Sequence, residues 1–152
     1  MSTTAQWVFE KTMALMDNLD PSTGEADTSE NAEYKNKVIP VLNILLQECY
    51  LASDVFAVTE SETEEDVYPR PIPAEVTSLT QSIPLDDGVC RSVLPYGLAA
   101  HFALSENTVQ ASFFQQRYEE ALARMKATVP SVSQDIENLY GSISTGDGVS
   151  WG

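Results

Sequence analysis

Basic residues are scarce in this sequence. It has 8 Lys and Arg residues against 23 Asp and Glu residues, which gives a formal net charge of −15 at pH 7. Such a charge repels phosphate backbones and anionic lipid headgroups wherever it is exposed. Charge-driven binding to nucleic acid or to an anionic membrane is therefore disfavoured. The apolar fraction of 43 % is nevertheless typical of a folded chain and not of a disordered one.

Long apolar runs are also missing. No uninterrupted apolar stretch approaches the roughly 20 residues that a membrane-spanning helix needs. The N-terminal MSTTAQWVFEKTMALM lacks the basic start and apolar run of a signal peptide. We expect a protein that is made and kept in the cytosol, with no membrane partner. Its 152 residues suffice for one ordinary hydrophobic core, so we expect a single domain with appendages.

Residues that commonly carry chemistry are few. His101 is the single histidine, so a catalytic triad would have to use it as the base, and no G-x-S-x-G motif supplies a nucleophile. Its helical setting favours a partly buried, hydrogen-bonded side chain. Cys49 and Cys90 lie in apolar helical patterns without metal-ligand spacing, which predicts buried free thiols. Phosphate loops, dinucleotide fingerprints and Cys/His boxes are absent as well. The sequence thus predicts a non-enzymatic protein with no cofactor and no metal.

Helical periodicity dominates what is present. Apolar residues recur at spacings of three and four over residues 4–19, 38–50, 86–104 and 108–125. This spacing places them on one face of an amphipathic helix. The sequence therefore predicts an all-α fold, a small bundle of about four helices.

Prolines and acids predict how these helices begin and bend. Pro40 falls inside the second pattern and predicts a kink or a break there. The third pattern is expected to bend near Pro95 and Gly97. Asp86 and Asp87 precede that pattern, where capping of the helix is a simpler role than acid–base chemistry. In the last helix the predicted core stripe comprises Val109, Phe113, Phe114, Tyr118, Leu122 and Met125.

An acidic, proline-rich segment separates the second and third patterns. Residues 57–73 join a run of acids to three prolines, which push the residues before them toward extended conformations. Loops of this length in compact domains are usually functional or disordered, so an interaction surface is sought here first. Calcium binding is disfavoured, because the run lacks the glycine and the alternating ligands of an EF-hand. We interpret it as a solvated acidic surface or interface formed by Glu60, Glu62, Glu64, Glu65 and Asp66.

The apolar pattern becomes sparse after Pro130. We therefore divide the chain into a helical domain over residues 1–130 and a C-terminal arm over residues 131–152. Aromatic and aliphatic side chains outside a helical stripe are typical anchors of protein interfaces. We expect the arm to dock on a partner through Ile136, Leu139, Tyr140, Ile143 and Trp151.

Several stretches occur in a recognisable order. IPLD at 83–86 leads into VLPYGLAA at 93–100, FFQQRY follows at 113–118, and a short segment at 136–141 closes the pattern. In this order they resemble the head-to-tail connector (adaptor) proteins of long-tailed bacteriophages. The resemblance covers residues 68–141 and rests on a pattern, not on a catalytic motif.

The resemblance implies a structural protein of the virion that is made in the cytoplasm of a bacterial host. Copies of such a protein form a ring, twelve-fold by the resemblance, between the portal and a downstream neck or tail protein. A terminal segment holds the portal ring or a neighbouring copy. Acids facing the channel would let DNA pass without specific binding, because they repel its phosphates. Residues 60–66 are the candidate for this lumen or for an interface.

Two other classes remain open. An acidic inhibitor that mimics DNA would use clustered carboxylates to bind a basic groove on another protein. It accounts for the charge but not for the apolar residues of the arm. A small hydrolase built on His101 is the third hypothesis, and the missing nucleophile motif makes it the weakest.

Overall fold

The computed structural model describes residues 2–53 and 72–128. Four helices of ten residues or more and one short helix form an all-α bundle, and these two ranges contain no strand. The predicted fold class is confirmed. None of the helices in this part of the chain has the length and apolar character needed to cross a membrane. The helices are α1 (Ala5–Leu15), α2 (Ala32–Cys49), α3 (Asp87–Ser92), α4 (Leu94–Ala103) and α5 (Thr108–Thr128).

Helix α4 is the centre of the bundle. It packs against α1, α2 and α5, and eight of its ten residues are buried. Gly97 allows the closest approach: a Cβ there would lie 2.9 Å from Leu45 Cδ1 and 2.9 Å from ring atoms of Tyr118. The central helix thus has no side chain at the point where its neighbours come closest, as expected for an interior that is packed to crystal-like density.

The start of α1 is completed by a segment distant in sequence. The first N–H groups of a helix lack partners within the helix. Here the amides of Ala5 and Gln6 donate to the carbonyls of Gln81 (3.2 Å) and Leu79 (2.8 Å). The amide of Trp7 donates to Oγ1 of the N-cap residue Thr4 (3.2 Å). The N-terminus of α1 is therefore hydrogen-bonded to residues 79–81, in the segment that precedes α3.

Helix α2 continues through Pro40, so the predicted break is not formed. Proline removes one N–H and leaves the carbonyl four residues earlier, that of Asn36, without its usual partner. Both Asn36 and Pro40 are exposed, so water can solvate the freed carbonyl. The apolar side of α2 meanwhile stays packed through Val38 and Leu42.

The third pattern is interrupted at Val93, between α3 and α4 and two residues before Pro95, and α4 continues through Gly97. Pro95 occupies the first turn of α4, where its missing N–H costs little. Gly97 lies within α4 and allows Leu45 and Tyr118 to pack closely against this helix. Proline therefore marks the start of a new helix here, which moves the bend toward the N-terminus.

Two hydrogen-bonded clamps hold the chain on either side of residues 54–71. Ser53 Oγ donates to Asp86 Oδ2 (2.8 Å) and accepts from the Asp86 amide (3.0 Å). The side chain of Asn43 pairs with both backbone groups of Val76, at 2.8 and 2.9 Å. The points where the acidic segment leaves and rejoins the bundle are therefore fixed by the core.

Candidate interaction surface

The predicted site residues lie outside the described part of the chain. This applies to the acidic set in residues 60–66 and to the five anchors of the arm, Ile136, Leu139, Tyr140, Ile143 and Trp151. Both remain predictions. The described helices present other surfaces, which the sequence analysis did not single out.

One of these surfaces is an apolar groove along one side of α5. Val109 is 78 % exposed and Phe113 is 57 % exposed, and both are among the largest apolar side chains left in water. The groove has a volume of about 610 Å³. We call it the α5 groove, and it is lined by Leu15, Tyr96, Val109, Gln110, Phe113, Phe114 and Arg117.

The predicted core stripe of α5 was wrong at Val109 and Phe113. Each residue of an α-helix is rotated by about 100° from the one before it, so Tyr118 lies about 140° round the helix from Phe113. The buried face of α5 comprises Ala111, Phe114, Tyr118 and Leu122. Val109 and Phe113 are apolar but belong to the opposite side, which α4 does not cover.

Arg117 is the single charged residue among the described residues that line the α5 groove. Its guanidinium lies over the ring of Tyr96, 5.3 Å from the centroid. It also makes a long contact of 3.9 Å with Glu120, which is exposed and adds little stability. The cation is thus held against an aromatic ring at the edge of an apolar surface, where an acidic partner could reach it.

A second groove lies on the surface along the line where α4 and α5 meet, and it has a volume of about 400 Å³. His101 lines it, and this histidine is exposed, so the predicted partly buried position was wrong. Ser112 and Glu119 line the same groove. Within residues 2–53 and 72–128, no hydrogen bond joins His101 to either of them, so the three side chains do not form a hydrogen-bonded triad.

The described acids are concentrated between α1 and α2. No Lys or Arg occurs between residues 12 and 34, and this absence is the sequence signal that could have revealed the surface. Lys35 pairs with Asp27 (2.6 Å), and Lys37 pairs with Glu33 (3.0 Å). Asp20 accepts from both the amide and the hydroxyl of Ser22, which lowers the pKa of its carboxyl. The acids of this segment are Asp17, Asp20, Glu25, Asp27 and Glu30, and Glu33 follows in the first turn of α2.

Capping of the helix is confirmed for Asp86, whereas the side chain of Asp87 makes a different contact. Asp86 caps α3 by accepting from the amide of Val89 (3.0 Å). Asp87 accepts from the buried hydroxyl of Thr3 (2.7 Å), which lowers the pKa of the Asp87 carboxyl. The same hydroxyl accepts from Arg91 Nε (3.1 Å). The pair therefore ties the N-terminus to α3.

The cysteines are buried free thiols, which confirms the prediction. Burial raises the pKa of Cys49 to about 11 and that of Cys90 to about 12. Cys49 Sγ also lies 3.4 Å from the hydroxyl of Tyr118. Because the thiolate is the reactive form, both side chains are inert near neutral pH.

Comparison with protein-family models, with curated proteins and with solved structures gives no match for this chain.

Proposed function

We propose that this chain is a structural subunit of a bacteriophage head-to-tail connector, one copy in a ring between the portal and a neck or tail protein. The observation that carries the proposal is the α5 groove. Monomeric proteins seldom leave several large apolar side chains together in water, and such patches usually mark interaction sites. The groove belongs to the part of the sequence that resembles connector proteins, since Val109 and Phe113 lie within residues 68–141.

The distribution of charge is consistent with a channel wall. The segment between α1 and α2 has five acids, Glu33 follows in the first turn of α2, and no basic residue occurs until Lys35. A wall of this kind would repel DNA phosphates and let the duplex slide. We propose that this turn, together with Glu60, Glu62, Glu64, Glu65 and Asp66, forms the acidic surface of the assembly.

The C-terminal arm is the proposed contact with the portal ring or with a neighbouring copy. Ile136, Leu139, Tyr140, Ile143 and Trp151 supply apolar and aromatic anchors without a helical stripe. An arm of this composition can wrap a partner, and burial of Tyr140 and Trp151 would offset the cost of ordering it.

The test is assembly with a portal ring from the genome that encodes the chain. Light scattering after size exclusion should detect a complex of portal and chain, and electron microscopy should image a ring of copies beneath the portal. A full-length variant with Tyr140→Ser and Trp151→Ser should bind more weakly. Binding equal to that of the unchanged protein would assign the contact to the helical body and not to the arm.

The acidic turn also favours a second candidate, a DNA-mimic inhibitor. Its five acids could imitate phosphates on the surface of a basic protein. The same chromatography separates the two hypotheses. A DNA mimic would stay small and ignore the portal, whereas a connector subunit would enter the larger complex.

Charge reversal distinguishes a role of the acidic segment in DNA passage from a role in folding. Replacing the five acids of residues 60–66 with Lys should impair DNA passage or partner choice much more than folding, because a solvated loop contributes little to the core. Circular dichroism provides the folding control. A variant that fails to fold would show that the acids have a structural role instead.

A further inference from the structure

We propose that the α5 groove of one copy of the chain binds the outer face of α2 of the next copy, formed by Pro40, Ile44, Gln47 and Leu51. The inference deepens the proposed connector function, and the ring rests on that function. A ring of identical copies needs two different surfaces on each copy that fit each other. The described helices provide two such surfaces.

Helix α2 has an exposed apolar face of its own. Ile44 and Leu51 are 58 % and 62 % exposed, and Pro40 and Gln47 are exposed as well. These four residues follow one another at steps of four, three and four positions, which places them in one line along the helix. Leu42, on the buried side, lies about 160° round the helix from Ile44. The outer α2 face therefore points away from the core and is free to meet another molecule.

The outer side of α5 carries a line of side chains with the same spacing. Phe113 and Arg117 line the α5 groove, and Glu120 and Arg124 continue from it in the next two turns. All four residues are exposed. Their steps of four, three and four positions keep them on one side of the helix. The groove is thus extended by an exposed line of alternating charge.

The line on α2 matches this one when the two helices run in opposite directions. From Ile44 toward the N-terminus, α2 presents Pro40, Lys37 and Glu33 at steps of four, three and four positions. Lines of equal spacing on two helices can face each other over several turns at a small crossing angle. An antiparallel pairing that sets Ile44 on Phe113 also sets Pro40 on Arg117, Lys37 on Glu120 and Glu33 on Arg124.

Charge complementarity identifies the outer α2 face as the occupant. Two of the four levels join opposite charges, and none joins like charges. Within a single copy, Lys37 already contacts Glu33 (3.0 Å) and Arg117 contacts Glu120 (3.9 Å), so docking joins two exposed pairs into one network. Such networks contribute more than isolated surface pairs, and they fix the register of the contact.

Self-pairing of α5 is disfavoured by the same charges. If two α5 helices met in an antiparallel pairing about Phe113, Glu106 of one copy would lie opposite Glu120 of the other, because each is seven positions from Phe113. Like charges that face each other at an interface are unfavourable. The groove therefore fits α2 of a second copy better than α5 of a second copy.

Pro40 adds a hydrogen-bond acceptor to the outer α2 face. Because proline has no N–H, the carbonyl of Asn36 lacks its usual helical partner, and both residues are exposed. In the antiparallel pairing Arg117 of the next copy lies at this level, and its guanidinium is a hydrogen-bond donor only. The single cation of the groove thus meets an acceptor that the helix of the partner leaves open.

Cysteine cross-linking tests the direction and register of the contact in the full-length chain. Gln47 and Gln110 lie opposite each other in the antiparallel pairing, since each is three positions from the contact of Ile44 with Phe113. The variant with Gln47→Cys and Gln110→Cys should therefore form disulfide-linked oligomers under mild oxidation. The native thiols are buried and should take no part.

The matched control carries Gln47→Cys and Gln116→Cys. Gln116 is also an exposed glutamine of α5, but it would lie opposite Gln47 only if the helices ran parallel. Position 116 is about 9 Å along the helix from position 110, beyond the roughly 7 Å between Cα atoms that a disulfide spans. The control should therefore show background linking only. Equal linking of the two variants, or stronger linking of the control, would overturn the proposed pairing.

Mixing two defective variants tests whether two different surfaces meet. Ile44→Asp disables the outer α2 face and Phe113→Asp disables the groove, and both sites are exposed, so circular dichroism should show intact folds. In sedimentation velocity the unchanged protein should self-associate as its concentration rises, and each variant alone should stay a monomer. An equimolar mixture should form a dimer, because one intact pair of surfaces remains.

Two results of this experiment would reject the contact. Self-association of the Ile44→Asp variant alone would show that the groove pairs with itself. An unchanged protein that remains monomeric up to about 1 mM would show that the two surfaces have no useful affinity for each other.

A charge exchange tests one of the facing pairs. Lys37→Glu should lower the association constant about threefold, and Glu120→Lys in the same chain should restore it. Lys35→Glu is the control, because it changes the net charge equally on the same helix but lies off the outer α2 face. Glu120→Lys should not rescue that control. Lack of rescue of Lys37→Glu would overturn the register.

The portal takes no part in these measurements, so the two proposals can fail separately. A chain that binds the portal but fails to cross-link would reject this contact alone. A chain that cross-links but ignores the portal would reject the connector function and leave the contact between copies in place.

Discussion

The two sides of α5 both carry aromatic residues, yet one is packed and the other is open. Tyr118 on the inner side is 2 % exposed, and Phe113 on the outer side is 57 % exposed. Their surroundings differ more than their chemistry: Tyr118 contacts the Gly97 region of α4, whereas Phe113 borders a groove. The comparison shows that apolar residues in this helix have two roles. Those on the inner side pack in the core, and those on the outer side form an exposed apolar surface.

The comparison is tested most directly by removing each aromatic side chain. Tyr118→Ala should lower the free energy of unfolding by about 3–5 kcal/mol, because it leaves a large cavity between α2, α4 and α5. Phe113→Ala should cost less than about 1 kcal/mol, as expected for an exposed site. Urea unfolding followed by circular dichroism measures both. Similar losses would mean that the outer side is also part of the core.

A smaller effect is expected when a methyl group is added opposite Tyr118. Gly97→Ala should destabilise the protein by about 1–3 kcal/mol, because the new Cβ overlaps Leu45 and Tyr118. In an uncrowded helix the same change would stabilise by up to about 1 kcal/mol. The sign of the change in urea midpoint therefore decides whether the inner side is as tightly packed as described.

The free energy of unfolding should also fall at alkaline pH because of the two buried thiols. In the fold, burial raises the pKa of Cys49 to about 11 and that of Cys90 to about 12, above the ordinary 9.0. Because the folded pKa is the higher one, the contribution of these neutral thiols is complete below about pH 9 and is lost as pH rises toward the folded values. Unfolding in reducing buffer from about pH 8 to pH 11 should show this loss.

The control for that titration is the variant with Cys49→Ala and Cys90→Ala. Its stability should fall less steeply over the same pH range, although tyrosines still contribute. Slopes and not absolute stabilities are compared, because truncation of buried thiols also costs packing. Parallel curves for the two proteins would show that the thiols do not cause the alkaline loss.

The smallest effect on stability is expected for a substitution in the second groove. His101→Ala should change the free energy of unfolding by no more than about 0.5 kcal/mol, since the side chain is exposed. Cys49→Ala, at a buried site of the inner side, should cost about 1–3 kcal/mol. Neither change should impair assembly with the portal ring. A loss of function in a well-folded His101 variant would instead reopen the possibility of catalysis.

The sequence by itself determined the helices and several of their ends. Periodic apolar spacing located α1, α2 and α5, and local chemistry identified the cap Asp86. These features depend on residues within a turn or two of each other, which sequence patterns record directly. The same holds for the thiols, whose burial followed from their apolar neighbours.

Only the tertiary structure decided which apolar residues are covered. Periodicity assigned Val109 and Phe113 to the core, and they are exposed because α4 contacts the other side of α5. The position of the bend at Val93 and the exposure of His101 likewise depend on how α3, α4 and α5 pack. Helix direction and crossing are set by contacts between residues far apart in sequence, such as Gly97 with Leu45 and Tyr118, and one-dimensional spacing does not contain them.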